Sequence, residues 1–131
     1  MLLATGVPAS LLSAKRGRTL RFGVVTDIHY ADRERSGTRY YRDSMQKLSE
    51  AIAEFNRADL DFVIELGDMK DTTKDSNSEL TIDFLRDIER QFQSFNGPVY
   101  HVLGNHDMDC ISKEEFLAVT TNAGRAKGRS Y

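Results

Sequence analysis

A single cysteine in 131 residues, Cys110, excludes an intrachain disulfide and any thiolate metal cluster. No apolar run approaches the roughly 20 residues that cross a bilayer, so no transmembrane segment is expected. An excess of one charge is lacking too. Eighteen basic against 20 acidic residues leave a formal net charge of -2, and the sequence pI is near 5.9. That balance offers no general polyanion surface, and nucleic acid is not an expected partner. Histidine is scarce, with only three residues: His29, His101 and His106. There is no internal repeat and no low-complexity tract. What is present is ordinary soluble-protein composition, 40% hydrophobic and 29% charged. The length suits one domain that buries roughly two-thirds of its unfolded surface.

Residues 1–19 read as a leader or partial signal segment ahead of a domain over 20–131. Met1 to Ala14 is mildly apolar and rich in small residues, and Lys15, Arg16 and Arg18 follow it. Those basic residues are on the wrong side for a complete export signal. The segment is either the end of such a signal or a loosely docked leader, so cytoplasmic and exported locations both stay open.

From Leu20 the pattern alternates. Leu20–Thr26 is β-rich and reads as strand one. Met45, Leu48, Ile52 and Phe55 recur at spacings of three and four, one helical face entered at Asp43-Ser44 and ending near Arg57. Leu60–Leu66 reads as strand two. A second helical face runs through Leu80, Phe84, Leu85, Ile88 and Phe92, and Asn96-Gly97-Pro98 stops it. Val99–Leu103 is strand three. Ser112 to Glu115 then carries a capping-box pattern for a further helix. The tail from Asn122 is Gly-rich and basic. This order, β-α-β-α-β, predicts parallel strands with right-handed crossovers and helices on the sheet faces. Three strands make a thin parallel sheet, and an uncovered edge beyond strand three would favour association.

Three motifs sit where these strands end: Asp27-Ile28-His29, Gly67-Asp68 and Gly104-Asn105-His106-Asp107. In an open α/β sheet, ligands bind at the carboxyl ends of the strands. Asp27 and His29, two apart, would share a face on a continuing strand. Asp68, one crossover later, would lie beside Asp27. Two unpaired carboxylates at such range repel, and a bound cation relieves this. Asp68 is placed to bridge two ions. Asn105 offers a neutral carbonyl oxygen, His106 a proton or hydrogen bond to a substrate oxygen, and Asp107 is expected to fix the ring of His106. Carboxylate, amide and imidazole donors without thiolate suit two divalent ions, Mn, Fe or Zn. At the site's mouth, Arg39 and Tyr41, with Tyr40 and Arg42 beside them, are candidates to bind phosphate and stack on a base. His101 reads as a packed strand residue and Cys110 as a small packed side chain.

The ordered set D-x-H, G-D and G-N-H-D resembles the calcineurin-like metallophosphoesterase superfamily over roughly Leu20 to Leu117. The resemblance implies the amino-terminal β-α-β-α-β half of a metallophosphoesterase-type α/β sandwich. By that likeness Asp27 and His29 hold the first metal, Asp68 bridges, Asn105 holds the second, and His106 meets the scissile phosphate with Asp107 orienting it. Phe22 to Asp32 and Gly37 to Arg42 are similar to the manganese-dependent ADP-ribose/CDP-alcohol diphosphatases and related bacterial phosphatases. That subgroup typically has Gln where this chain has His29, and Glu where it has Asp107.

The implied activity is hydrolysis of a phosphoester or phosphoanhydride by a hydroxide activated between two metals. The substrate would be a phosphorylated small molecule or nucleotide. The family pattern also uses a later His and a G-H-x-H segment, and no His follows His106 here. The chain therefore reads as truncated, with an incomplete site and weak metal binding of its own. A non-catalytic metal- or nucleotide-binding module is the alternative. Substrate identity, choice of metal and oligomeric state are open at this level.

Overall fold

The structure, a computed structural model, describes residues 19–124. Residues 1–18 and the basic tail from Arg125 lie outside the described residues. In chain order the elements are β1 (Phe22–Val25), α1 (Ser44–Arg57), β2 (Phe62–Glu65), α2 (Ser78–Phe92), β3 (Val99–His101) and α3 (Lys113–Val119). A single 3-10 turn, His106–Met108, separates β3 from α3.

The three strands are parallel and lie in the order β1-β2-β3. Two right-handed crossovers that step the same way deliver both helices to the same face of the sheet. Accordingly α1 contributes Leu48 and Ile52, and α2 contributes Leu85, Ile88 and Phe92, to one core around Val63. Ile52 and Phe92 are almost fully buried, and burying side chains of that size stabilises by about 1.5–3 kcal/mol each. Gly23 leaves room on β1 for Phe55 and Leu60, whose atoms would lie 3.0 Å from a Cβ there.

The parallel strands and face-packed helices expected from the β-α-β-α-β order are thus present, with α1 and α2 on one face. On the other face Phe22 stacks on Phe62 at 5.1 Å, and Tyr100 meets Phe62 edge-on at 5.7 Å. Phe22, Val24, Leu66 and Val102 remain exposed there. The strand edge beyond β3 is also not bare. Residues 121–123 run along it: the Ala123 N–H reaches the Val99 carbonyl at 3.0 Å, and the His101 N–H reaches Asn122 Oδ1 at 2.6 Å. Among the described residues, β1 and β3 are the two edge strands of the sheet.

Local chemistry sets the helix ends. Asn77 caps α2 by accepting from the Leu80 N–H at 2.9 Å. Ser112 and Glu115 close the expected capping box on α3. Asp43 precedes α1 without a side-chain cap; instead the Ser44 hydroxyl donates to the Tyr41 carbonyl at 2.7 Å.

Candidate metal centre

The chain leaves β1 and β2 side by side and stays paired beyond both strands. The Asp27 N–H donates to the Gly67 carbonyl, His29 to Asp68, and Tyr30 to Met69, at 3.0–3.1 Å. This continued pairing brings the first two motifs together. The backbone is not a continuing strand, however. Asp27, His29 and Asp68 all have positive φ, at 55°, 48° and 61°. Left-handed backbone at a non-glycine residue costs about 1–2 kcal/mol, and such strain gathers at functional sites. Three expected metal ligands carry it here. Asp27 and His29 thus meet through two left-handed residues, not through the two-residue alternation of a strand.

The third motif reaches the second by glycine contact. Gly67 (φ 102°) lies against Gly104, and a Cβ on Gly67 would stand 2.7 Å from the Gly104 nitrogen and Cα. A Cβ on Gly104 would fall on the amide nitrogen and Oδ1 of Asp68. With both side chains absent, the His106 N–H can donate to Asp68 Oδ1 at 2.9 Å.

The ring of His29 is buried. Its Nε2 lies 3.4 Å from Asp27 Oδ1 and 4.0 Å from Asp68 Oδ2. The ring of His106 stands nearly perpendicular to it, with centroids 4.9 Å apart. His29, Asp68 and His106 each offer one donor atom, all within 4.8 Å of one another. The Thr26 hydroxyl, 2.6 Å from Asp27, holds that carboxyl below its ordinary range, so it is ionised at neutral pH. Two carboxylates and imidazole nitrogen form a donor set that fits a borderline or hard divalent ion. Asn105 is exposed at the head of the 3-10 turn, and its side chain makes no capping hydrogen bond there.

Asp107 does something other than the expected work. It is fully buried, and its two oxygens accept backbone N–H groups from both loops. Oδ2 takes those of Asp68 and Gly104, and Oδ1 takes that of Met69, each at 2.8 Å. The carboxylate on the His106 ring is Asp109, whose Oδ2 lies 2.9 Å from Nδ1. In a 3-10 turn, positions three apart eclipse, which brings Asp109 over the ring and sends Asp107 inward.

Two further residues went unmarked by the motif pattern. Lys70 is buried, and its Nζ donates to the carbonyls of His106 and Asp109 at 2.5 Å. Burial lowers its pKa from the usual lysine range, while surrounding carboxylates oppose the shift. Asp71, also buried, has Oδ2 at 3.5 Å from His29 Nδ1. Polar residues in the loop after Gly67-Asp68 were the visible signal for both.

The expected substrate residues are engaged elsewhere. The Arg39 guanidinium donates to Asp71 Oδ2 at 3.2 Å. Tyr41 is buried with Ala31 and Phe84, under the Arg33 guanidinium at 4.3 Å. Arg42 pairs with Asp32 and Glu34 on its own loop. Among the described residues, Tyr40 is the exposed tyrosine. Arg39, Tyr40 and Tyr41 border a groove of about 860 Å³ that starts at Asp27 and His29 and runs between β1 and α1 to Phe55. Cys110, expected to be packed, is exposed, with φ 67°. His101 is packed in the strand as expected, beneath Phe92 at 5.0 Å, between Glu65 and Glu89.

Comparison with known proteins identifies the family. A manganese-dependent ADP-ribose/CDP-alcohol diphosphatase from Arabidopsis thaliana is 38% identical over 127 residues, covering 91% of this chain and 39% of the relative. Its namesake from Homo sapiens is 33% identical over 113 residues, covering 79% and 32%. A dimetal phosphatase from Danio rerio superposes with a TM-score of 0.65 at 27% identity, covering 75% of this chain and 33% of that one. The chain thus spans less than two-fifths of the length of these relatives. The family model for calcineurin-like phosphoesterases matches residues 20–129, and the chain belongs to that family.

Proposed function

We infer that Asp27, His29, Asp68 and Asn105 ligate divalent metal ions, and that the chain serves hydrolysis of a phosphoester or phosphoanhydride. The observation that carries this reading is the convergence of His29, Asp68 and His106 donor atoms within 4.8 Å, with Asp27 on the same edge of the His29 ring. Manganese is the expected metal and two ions the expected number, by analogy with the manganese-dependent and dimetal relatives. When bound, such ions supply Lewis-acid charge to a phosphoryl oxygen and lower the pKa of a water toward neutrality. The chain's own residues do the rest. Asp68 keeps Oδ2 free for metal because Oδ1 is spent on the His106 N–H. His106, with Nδ1 on Asp109, is left with Nε2 to hydrogen-bond a substrate oxygen or protonate the leaving group. The groove beside Asp27 gives the non-reacting part of the substrate a place, with Arg39 and Tyr40 at its border. Nucleoside-diphosphate conjugates of the ADP-ribose or CDP-alcohol kind are the proposed substrate class, since the relatives are named for them.

Calorimetric titration with Mn²⁺, followed by ADP-ribose, tests the reading. Mn²⁺ should bind, ADP-ribose should bind only with Mn²⁺ present, and Asp68→Ala should abolish both. His106→Ala should keep Mn²⁺ and lose any hydrolysis. Turnover by this chain is expected to be slow, because its three histidines, one of them the packed His101, leave few imidazole ligands. ADP-ribose binding that ignores Mn²⁺ would refute the assignment.

A further inference from the structure

We propose that Glu65 is a positioning residue for the metal loop: its side chain holds the Gly67 N–H and so sets where Asp68 stands between the three motifs. This rests on the reading of Asp68 as a ligand. Glu65 is the last residue of β2 and is fully buried. Its Oε1 accepts the Gly67 N–H at 2.6 Å. The backbone turns left-handed at that point, with φ 102° at Gly67 and 61° at Asp68. Gly67 is tied through its carbonyl as well, which accepts the Asp27 N–H at 3.1 Å. The next two N–H groups, of Asp68 and Met69, go to Asp107 at 2.8 Å each. Three successive N–H groups of the metal loop therefore end on two buried carboxyl groups, and Asp68 is fixed from both sides. The turn has no slack, because a Cβ on Gly67 would stand 2.7 Å from Gly104.

Glu65 is itself held in place. Its own carbonyl accepts the Val102 N–H at 2.9 Å, which fixes its backbone to the chain leaving β3. Its Oε2 makes no hydrogen bond but faces His101 Nδ1 at 3.8 Å. On the far side of that ring, Nε2 lies 3.1 Å from Glu89 Oε2, and Glu89 Oε1 accepts the Thr121 N–H at 3.0 Å. Burial pushes the Glu65 carboxyl up, and His101 and the Gly67 N–H oppose that shift. A buried polar group is costly unless it is matched. One oxygen on Gly67 and the other against the imidazole supply the match, and they leave the carboxyl group little freedom to turn off the amide. A row of buried groups thus backs the metal loop from β3, α2 and the segment beside β3.

Two substitutions separate this role from packing. Glu65→Gln keeps the volume and an oxygen for the Gly67 N–H; Glu65→Met keeps the volume and removes the acceptor. Amide hydrogen exchange of the metal-free chain, read residue by residue, reports the bond, and calorimetric titration with Mn²⁺ reports its effect on the ion. In the wild type the Gly67 amide should be protected. In Glu65→Met it should lose that protection while the amides within α2 keep theirs, and Mn²⁺ affinity should fall about 10–100-fold, the usual loss when the groups supporting a ligand are removed. Glu65→Gln should restore both the protection and most of the affinity. A wild-type Gly67 amide that exchanges freely overturns the proposal without any variant having to fold. So does Glu65→Met with wild-type Mn²⁺ affinity when Asp68→Ala loses the ion, or Glu65→Gln with as large a loss as Glu65→Met. If Asp68→Ala itself leaves Mn²⁺ binding intact, the ligand reading of Asp68 is what fails, and this role for Glu65 falls with it.

Discussion

The two oxygens of Asp107 together take backbone N–H groups from two loops, so replacing one oxygen by an amide strands donors in a dry interior. A buried, unsatisfied donor costs about 1–3 kcal/mol. Asp107→Asn should therefore lower unfolding free energy by about 2–5 kcal/mol, read from urea denaturation. Gly104→Ala should be comparably damaging, because its methyl group would displace the Asp68 amide and carboxylate; a loss of Mn²⁺ affinity should accompany the lower stability. At this scale the sequence showed which residues meet but not how they face. The spacing of Asp27, His29 and Asp68 placed them at neighbouring strand ends. The partner of His106 was hidden because Asp107 is its neighbour in sequence, whereas a 3-10 turn puts Asp109 over the ring. Asp71 was hidden for a similar reason: its contact with His29 spans two loops, and a charged loop reads as solvated.

Among the elements, β2, α2 and β3 share a buried charged cluster between the sheet and its helices. His101 Nε2 lies 3.1 Å from Glu89 and Nδ1 lies 3.8 Å from Glu65. Glu65 also accepts the Gly67 N–H at 2.6 Å, and Glu89 accepts that of Thr121 at 3.0 Å. Burial alone would push the His101 pKa down; the two carboxylates outweigh it and raise it from 6.5 to about 9. Burial pushes Glu65 upward as well. A folded pKa above the unfolded one means the native state binds the proton more tightly. The stability His101 contributes is thus fully present below pH 6.5 and is lost as pH rises toward about 9. The urea midpoint should fall across that window, and His101→Gln should flatten the fall. An unchanged midpoint would place His101 in its neutral form. Helix periodicity and caps were legible here, α3's capping box included. The side of the sheet was not. Phe22, Phe62 and Tyr100 make both faces of the strands apolar, the pattern of strands covered on both sides, yet the strand order puts α1 and α2 on one.

Taken whole, the molecule has a well-packed helical side and an apolar, aromatic sheet face left to water. Phe22 is 51% and Val24 47% exposed, with Leu66 and Val102 beside them. Soluble monomers seldom show a contiguous apolar patch of more than a few hundred Å². The purified chain should accordingly bind a hydrophobic dye and associate with rising concentration in sedimentation velocity. Lysine at both Phe22 and Val102 should reduce both effects without changing the helical circular dichroism. The candidate metal centre lies at the carboxyl ends of the strands, where three turns meet and Asp107 and Lys70 tie the turn after β2 to the turn after β3. That placement is what the parallel topology of the family predicts for a ligand site.

The central claim is that His29 and Asp68 bind metal. Pulsed electron paramagnetic resonance of Mn²⁺ bound to the chain tests it most directly. Coupling to an imidazole nitrogen should appear in the wild type and disappear in His29→Ala, with Asp68→Ala losing the bound ion. Mn²⁺ without nitrogen coupling, or coupling that survives His29→Ala, would contradict the account.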